Sequence, residues 1–537
     1  AVEFPPVIER ATLYSGGTIY TGLETPSTVE AVLVDSGGRI LATGPETTLR
    51  ESFGGELDRL DLEGAIMFPG FVDGHAHLLG IGQRELILDL AATASLEALV
   101  ETIGDETESL DFNTLVFGRG WIETDWPEGR MPTALDIDPV SQNNPVVLVR
   151  ADGHALFANT AAMEAAGITD ETTDPDGGTI ERDDTGAATG IFVDNAMASI
   201  LTLVDAPSEA EREAALALGA EVYAERGWTG LHNMSVDPAD APLMERLDED
   251  DRLPVRVHNA FNPDGMGLAK ARDHETDTIS NRAIKIYMDG ALGSRGALLF
   301  EPYTDRPDTS GLALRSFDNT VETLKAAIAA DVQIAFHAIG DRANFFALNW
   351  MGDLLAAEAN GKDLRWRIEH AQILRPEDIA LFARNGIIAS MQPSHAIGDL
   401  KFAPQRLGPD RRTGAYAWSS LLDSGAVLVS GSDAPVEVGS PLIEFYAATV
   451  RKALDGTRGE GWHPEEAMTR FEALQSLTSA PAYASFQEND LGTIEAGKWA
   501  DFSIFDRDLM TVPDSELLES KAVMTIVAGE RVWSANP

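Results

Sequence analysis

Ten histidines occur in the 537 residues, and His75 with His77 form the only His-x-His. Side chains two apart on a strand face the same side, so this pair would turn both imidazoles toward one ion. Lys285 is the single charge in Ala283-Ile284-Lys285-Ile286-Tyr287-Met288, and lysine is almost never buried without a partner. His337 closes the run IAFHA, His370 closes RIEH, and Asp433 follows VLVSGS directly. A carboxylate at the end of a buried strand needs a cation or several donors. Each residue has a bland alternative: capping histidines after Gly74, a structural salt bridge for Lys285, satisfied core imidazoles for His337 and His370, a helix cap before Pro435 for Asp433. Six such coincidences at the ends of apolar runs outweigh those alternatives.

Eight apolar runs must position these groups: 65–77, 227–234, 254–261, 283–291, 332–341, 365–373, 386–395 and 426–435. Amphipathic stretches such as SEAEREAALALGAEVYAERG and DNTVETLKAAIAAD fall between them. That alternation is the mark of repeated βα units, and eight of them predict a TIM-like (β/α)8 barrel over residues 66–485. An open doubly wound sheet is disfavoured by the lack of a G-x-G-x-x-G turn. Short glycine-punctuated strands at both ends, 1–65 and 486–537, predict a small β-sandwich-like domain built from the two termini. Residues of about 105–205 break the rhythm after the first run. An insertion there is expected at the C-terminal face of the barrel, over the site.

Composition narrows the chemistry. Apolar residues make up 44%, enough for a large core, while 40 basic against 87 acidic residues give a charge of −47. Nucleic acid needs clustered Lys and Arg, which are lacking, so polyanion partners are excluded. Only eight residues are lysine, and the acids are scattered, as on a solvated surface suited to salt. With no cysteine, disulfides, iron–sulfur clusters, thiolate zinc sites and cysteine nucleophiles are ruled out. No membrane span is expected, and Ala1–Glu9 lacks a basic apolar signal, so the chain reads as soluble with its compartment open.

In order, PGFVDGHAH, HAIGD, IEHAQ and SGSDAP resemble the metal-dependent amidohydrolase superfamily. GRGWIETDWPEGRMPT, RADGHALFAN and KIYMDGALGSR are similar to its YtcJ-like branch, which includes N-substituted formamide deformylases. The resemblance spans nearly the whole chain. It implies two divalent metal ions, with Zn²⁺ suited to imidazole and carboxylate donors and Mn²⁺ or Fe²⁺ as alternatives. His75, His77 and Asp433 would hold the more buried ion and His337 with His370 the second. Lys285 would bridge them as a carbamate formed with CO2. The implied activity is hydrolysis of a C–N bond in a small amide, N-acyl or N-formyl, by attack of metal-bound hydroxide, with Asp433 as acid and base.

His154 and Arg295 are candidate clamps for a substrate carbonyl or carboxylate, and Trp121 a candidate pocket wall. Arg295 could equally pair with an acid and Trp121 pack in a core. Gln392, His395, His232 and His258 also fall at strand ends and are expected to support the ligands or fill the core. A mononuclear deaminase or lactonase of the same superfamily is the near alternative. Lys285 weighs against the deaminase, as does Asp341 where such an enzyme would place a Glu. A metal-binding or regulatory protein without turnover is the distant one. A homodimer is the expected assembly.

Overall fold

The structure is a computed structural model that describes residues 9–123, 126–150, 155–175, 178–263, 268–455 and 463–536. Eight parallel strands form its central sheet in sequence order: β1 (Phe71–Ala76), β2 (Trp228–Val236), β3 (Arg256–Phe261), β4 (Ile279–Tyr287), β5 (Gln333–Ala338), β6 (Arg367–His370), β7 (Ile388–Met391) and β8 (Leu428–Ser430). One overlaps each of the eight apolar runs; β2 runs two residues past its run and β4 begins four residues before its own. Neighbouring strands keep their sequence order throughout, and the sheet curls into a nearly closed TIM-like barrel.

Buried strands carry residues such as Ile284, Ile286, Ile334, Phe336 and Ile368, and the helices outside cover them with Leu216, Leu324, Ala343 and Leu348. Helix ends follow local chemistry. Ser316 caps Phe317–Ala330 by accepting from the Asn319 amide, and Thr469 with Glu472 forms a capping box on Arg470–Leu477.

β1 and β8 close the barrel by close approach rather than by a hydrogen-bonded ladder. A Cβ on Gly74 would meet the Val429 side chain at 2.2 Å, and one on Gly431 would meet the His75 amide nitrogen at 2.3 Å. Only glycine fits at both places. Asp73 then ties the seam: its carboxylate accepts from the Ser432 amide (2.8 Å), the Ser432 hydroxyl (2.6 Å), the His75 amide (3.1 Å) and the Tyr223 hydroxyl (2.8 Å).

Strands from the two chain ends share a six-stranded sheet, in which Ile66–Pro69 runs antiparallel to Phe502–Phe505. Arg10–Ser15, Ala31–Asp35, Ile40–Gly44 and Glu56–Asp61 form a four-stranded sheet. Both sheets belong to the same compact unit as the barrel, Ala1–Ile81 with Leu216–Pro537. The chain divides elsewhere: Gly82–Ala215 is a second compact unit, with its own six-stranded sheet and its own core of Leu99, Ile103, Val116, Trp121, Leu148 and Phe157. It begins within helix Leu78–Leu86 and ends at Ala215, wider at both ends than the insertion of about 105–205 read from sequence.

Among the described residues no helix is long and apolar enough to cross a membrane. The charge of −47 has a measurable consequence. Mutual repulsion opposes compaction, and salt shortens its range from about 10 Å at 0.1 M to about 3 Å at 1 M. The thermal unfolding midpoint is expected to rise steadily from 0.1 to 2 M KCl; a flat or falling midpoint would show that the acidic excess carries no cost.

Candidate metal centre

Five of the six sequence-predicted ligands lie on or directly after β1, β4, β5 and β6, and the sixth lies just beyond β8. His75 Nε2 and His77 Nε2 converge on Asp433 Oδ1, at 3.4 and 3.0 Å. Lys285, fully buried on β4, places Nζ 3.3 Å from His75 Nε2. The His370 ring stands between its neighbours, with centroids 4.8 Å from His75 and 4.6 Å from His337. Among the described residues two groups have donor atoms close enough together to hold an ion: His75, His77 and Asp433, and His370, His395 and Asp433. His395 thus stands among the donors, whereas its place at a strand end predicts only a supporting or core role.

Backbone strain marks the same places. His370 (φ 75°), Ala371 (φ 44°), Asp433 (φ 63°) and Ser235 (φ 58°) are non-glycine residues in the left-handed region. Such residues persist where the surroundings over-determine them, and they gather at functional sites. Here the turn after β8 is fixed by the Asp433 amide donating to His75 O at 2.6 Å.

The electrostatics keep the donors in the form that binds a cation. Burial, reinforced by the neighbouring Lys285, lowers His75 to about 4 and His337 to about 3, so both are neutral at pH 7 with a lone pair available. Burial lowers Lys285 to about 8, which makes its free amine accessible near neutrality. Burial opposes the charge on Asp433, yet the His77 hydrogen bond and the surrounding imidazoles hold its carboxyl well below the usual carboxylate range.

These donors fit a divalent ion. Two donor atoms about 2.0–2.1 Å from a tetrahedral ion stand about 3.4 Å apart. His75 Nε2 and Asp433 Oδ1 are at that spacing, too long for a good hydrogen bond. The His337 Nε2 atom is buried with no hydrogen-bond partner among the described residues; it faces Asp289 Oδ1 at 3.5 Å and falls in neither of the two groups.

Four supporting residues went unread in the sequence. Glu369 Oε2 accepts from His75 Nδ1 at 2.6 Å, which leaves Nε2 free to face the site, the arrangement of a carboxylate orienting a metal-bound histidine. Arg367, fully buried, holds Glu369 in turn and also reaches Gly74 O, Ser390 Oγ and His232 Nδ1, each at 2.6 Å. Burial works against the Glu369 charge, but Arg367 keeps its carboxyl well below the ordinary range. Asp73 closes the seam, and Asp289 accepts three backbone amides, from Ile339, Gly340 and Leu298. Arg367 and Glu369 could have been found as paired charges two apart in a buried strand; nothing local reveals the partners of the two aspartates. Gln392 Oε1 accepts from His370 Nδ1 at 2.7 Å, so it orients a candidate ligand.

The sequence pattern of the amidohydrolase family (Amidohydro_3) matches residues 58–533. The chain belongs to this family. Among amidohydrolases, YtcJ of Bacillus subtilis (strain 168) is 33% identical over 531 residues, 98% of this chain and 99% of the relative. The N-substituted formamide deformylase of Arthrobacter pascens is 30% identical over 522 residues, covering 94% of each chain. The solved structure of a metal-dependent hydrolase from Pyrococcus furiosus, itself uncharacterized, superposes with a TM-score of 0.75 at 28% identity, covering 93% of this chain and all of that one. Membership places the protein in the YtcJ-like branch of the metal-dependent amidohydrolases, and hydrolysis is the activity that it supports.

The substrate contacts fare differently. Trp121 has no exposed surface: its indole N–H donates to Leu148 O at 2.9 Å, and its ring packs against Trp126 and Phe157 in the core of Gly82–Ala215. It is a packed tryptophan rather than an open pocket wall, because its N–H is satisfied inside that core. Arg295 is already engaged, bound to Asp305 at 2.9 Å, and Asp305 also receives Arg406. A clamp would have to break that pair. His154 lies outside the described residues.

Proposed function

We propose that the protein is a binuclear metal-dependent hydrolase that cleaves the carbon–nitrogen bond of a small amide, N-acyl or N-formyl. The reading is carried by the Asp433 carboxylate, an ionised buried group facing His75 and His77 with one oxygen and His395, beside His370, with the other. His75, His77 and Asp433 would hold one ion, His337 and His370 the second, with Zn²⁺ the best match to a donor set free of thiolate. Lys285 would bridge them as a carbamate: its neutral amine adds CO2 and releases one proton, so an uncharged nitrogen becomes an anion with two oxygen donors. The relative named N-substituted formamide deformylase supports an N-formyl amide within the substrate class.

Ions in such a site polarise a carbonyl and bring the pKa of bound water from about 15.7 to about 7. Asp433 accepts a proton from the attacking water at a carboxylate oxygen and returns it to the departing nitrogen. One amide and one water become a carboxylic acid and an amine. Glu369 keeps the His75 ring from rotating through its Nδ1 hydrogen bond.

The test is metal analysis joined to a substrate panel of N-formyl amines, N-acyl amino acids, cyclic amides, lactones and amino-substituted heterocycles. Close to two metal ions per chain are expected, with hydrolysis of an N-formyl or N-acyl amide that stops on chelation and returns with Zn²⁺. Less than one ion per chain, or turnover of lactones or aminated rings alone, would overturn the proposal.

A further inference from the structure

His395 follows β7 on the short helix Pro393–Gly398 and is buried, with 9% of its surface exposed. Its Nε2 faces Asp433 Oδ2 at 3.5 Å and Glu437 Oε1 at 3.8 Å. It has no hydrogen-bond partner among the described residues. Its ring lies nearly parallel to that of His370, with centroids 5.8 Å apart and planes at 19°.

An imidazole buried opposite a carboxylate ordinarily closes to hydrogen-bonding distance, about 2.7–3.2 Å. A buried nitrogen without a bond is costly, so some other partner must satisfy it. The separation found, 3.5 Å, is too long for a good hydrogen bond and too short for an intervening water. It does match the about 3.4 Å between two donors on one tetrahedral ion. The same spacing recurs on the other side of the carboxylate, where His75 Nε2 stands 3.4 Å from Asp433 Oδ1. His370 is prepared likewise, since Gln392 occupies its Nδ1 and leaves Nε2 for the site.

We infer that His395 is a metal ligand, joining His370 and Asp433 at the second ion, so that the Asp433 carboxylate is shared between the two ions. The inference rests on the binuclear reading above and extends it, since His395 stands outside the six ligands that the sequence motifs supply.

The test titrates metal-free protein with Co²⁺, following visible absorption and bound metal per chain, for the wild type and His395→Ala, with His274→Ala as a control. The His274 ring bonds Glu245, away from all the donors named above. The expected result is two equivalents in the wild type and the control, and in His395→Ala a second equivalent weakened at least about 100-fold with an altered absorption band. Loss of an outer partner brings only about 10–100-fold. Two equivalents of unchanged affinity and spectrum in His395→Ala would overturn the inference and leave the binuclear hydrolase standing. A wild type that takes only one equivalent would overturn both. Should His395→Ala fail to fold, anomalous diffraction from zinc-loaded wild-type crystals decides the matter. His395 Nε2 within about 2.3 Å of an ion supports ligation, and a second ion without His395 contact refutes it.

Discussion

Asp433→Asn is expected to lower kcat/KM by about 10⁴-fold, the upper end of what positioned acid–base groups contribute. The substitution isolates the carboxylate. Asparagine tolerates the left-handed backbone that Asp433 adopts at φ 63°, and the amide that donates to His75 O is unchanged. What disappears is the negative charge that His75, His77 and the facing His395 share. Metal content is to be measured beside the rate, because the same oxygens are proposed as ligands and as the proton carrier. A variant within about tenfold of the wild type with full metal would remove Asp433 from the mechanism.

Lys285→Ala should be nearly as damaging and damaging in a diagnostic way. Losing the bridge is expected to take bound metal from two ions per chain toward one and activity down by about 10³-fold or more, with partial recovery in high concentrations of acetate or propionate, whose two oxygens can replace those of a carbamate. Wild-type protein equilibrated with ¹³C-labelled bicarbonate should show a carbamate carbon resonance that the variant lacks. The amine that would react is buried, lowered to about 8, and 3.3 Å from His75 Nε2. Unchanged metal content in Lys285→Ala would refute the carbamate.

The barrel was legible because each of its strands is a short apolar run followed by a polar residue that an ordinary strand would not carry. His75, Lys285 and His370 stand out against such runs, and the alternation with helices supplies their order around the sheet. Partners brought in from elsewhere were not legible. Glu369 is hidden in the sequence by the adjacent His370, which alone explains the motif, and His395 is hidden because its value depends on where the helix after β7 delivers it, opposite an oxygen 38 residues further on. Trp121 misled for a different reason. A tryptophan among glycines reads as well as a pocket wall as it does as packing, but Gly82–Ala215 has a core of its own to fill.

The glycine seam between β1 and β8 has a bearing on how the protein is made. His75 and His77 leave the ribosome early, but Asp433 comes 356 residues later, and the seam that brings it to them needs Gly74 and Gly431 face to face. Contacts of such long range form late in folding. A growing chain therefore carries its pair of imidazoles long before it owns the carboxylate that completes their group, so an ion held at the proposed centre would be captured only by the finished polypeptide.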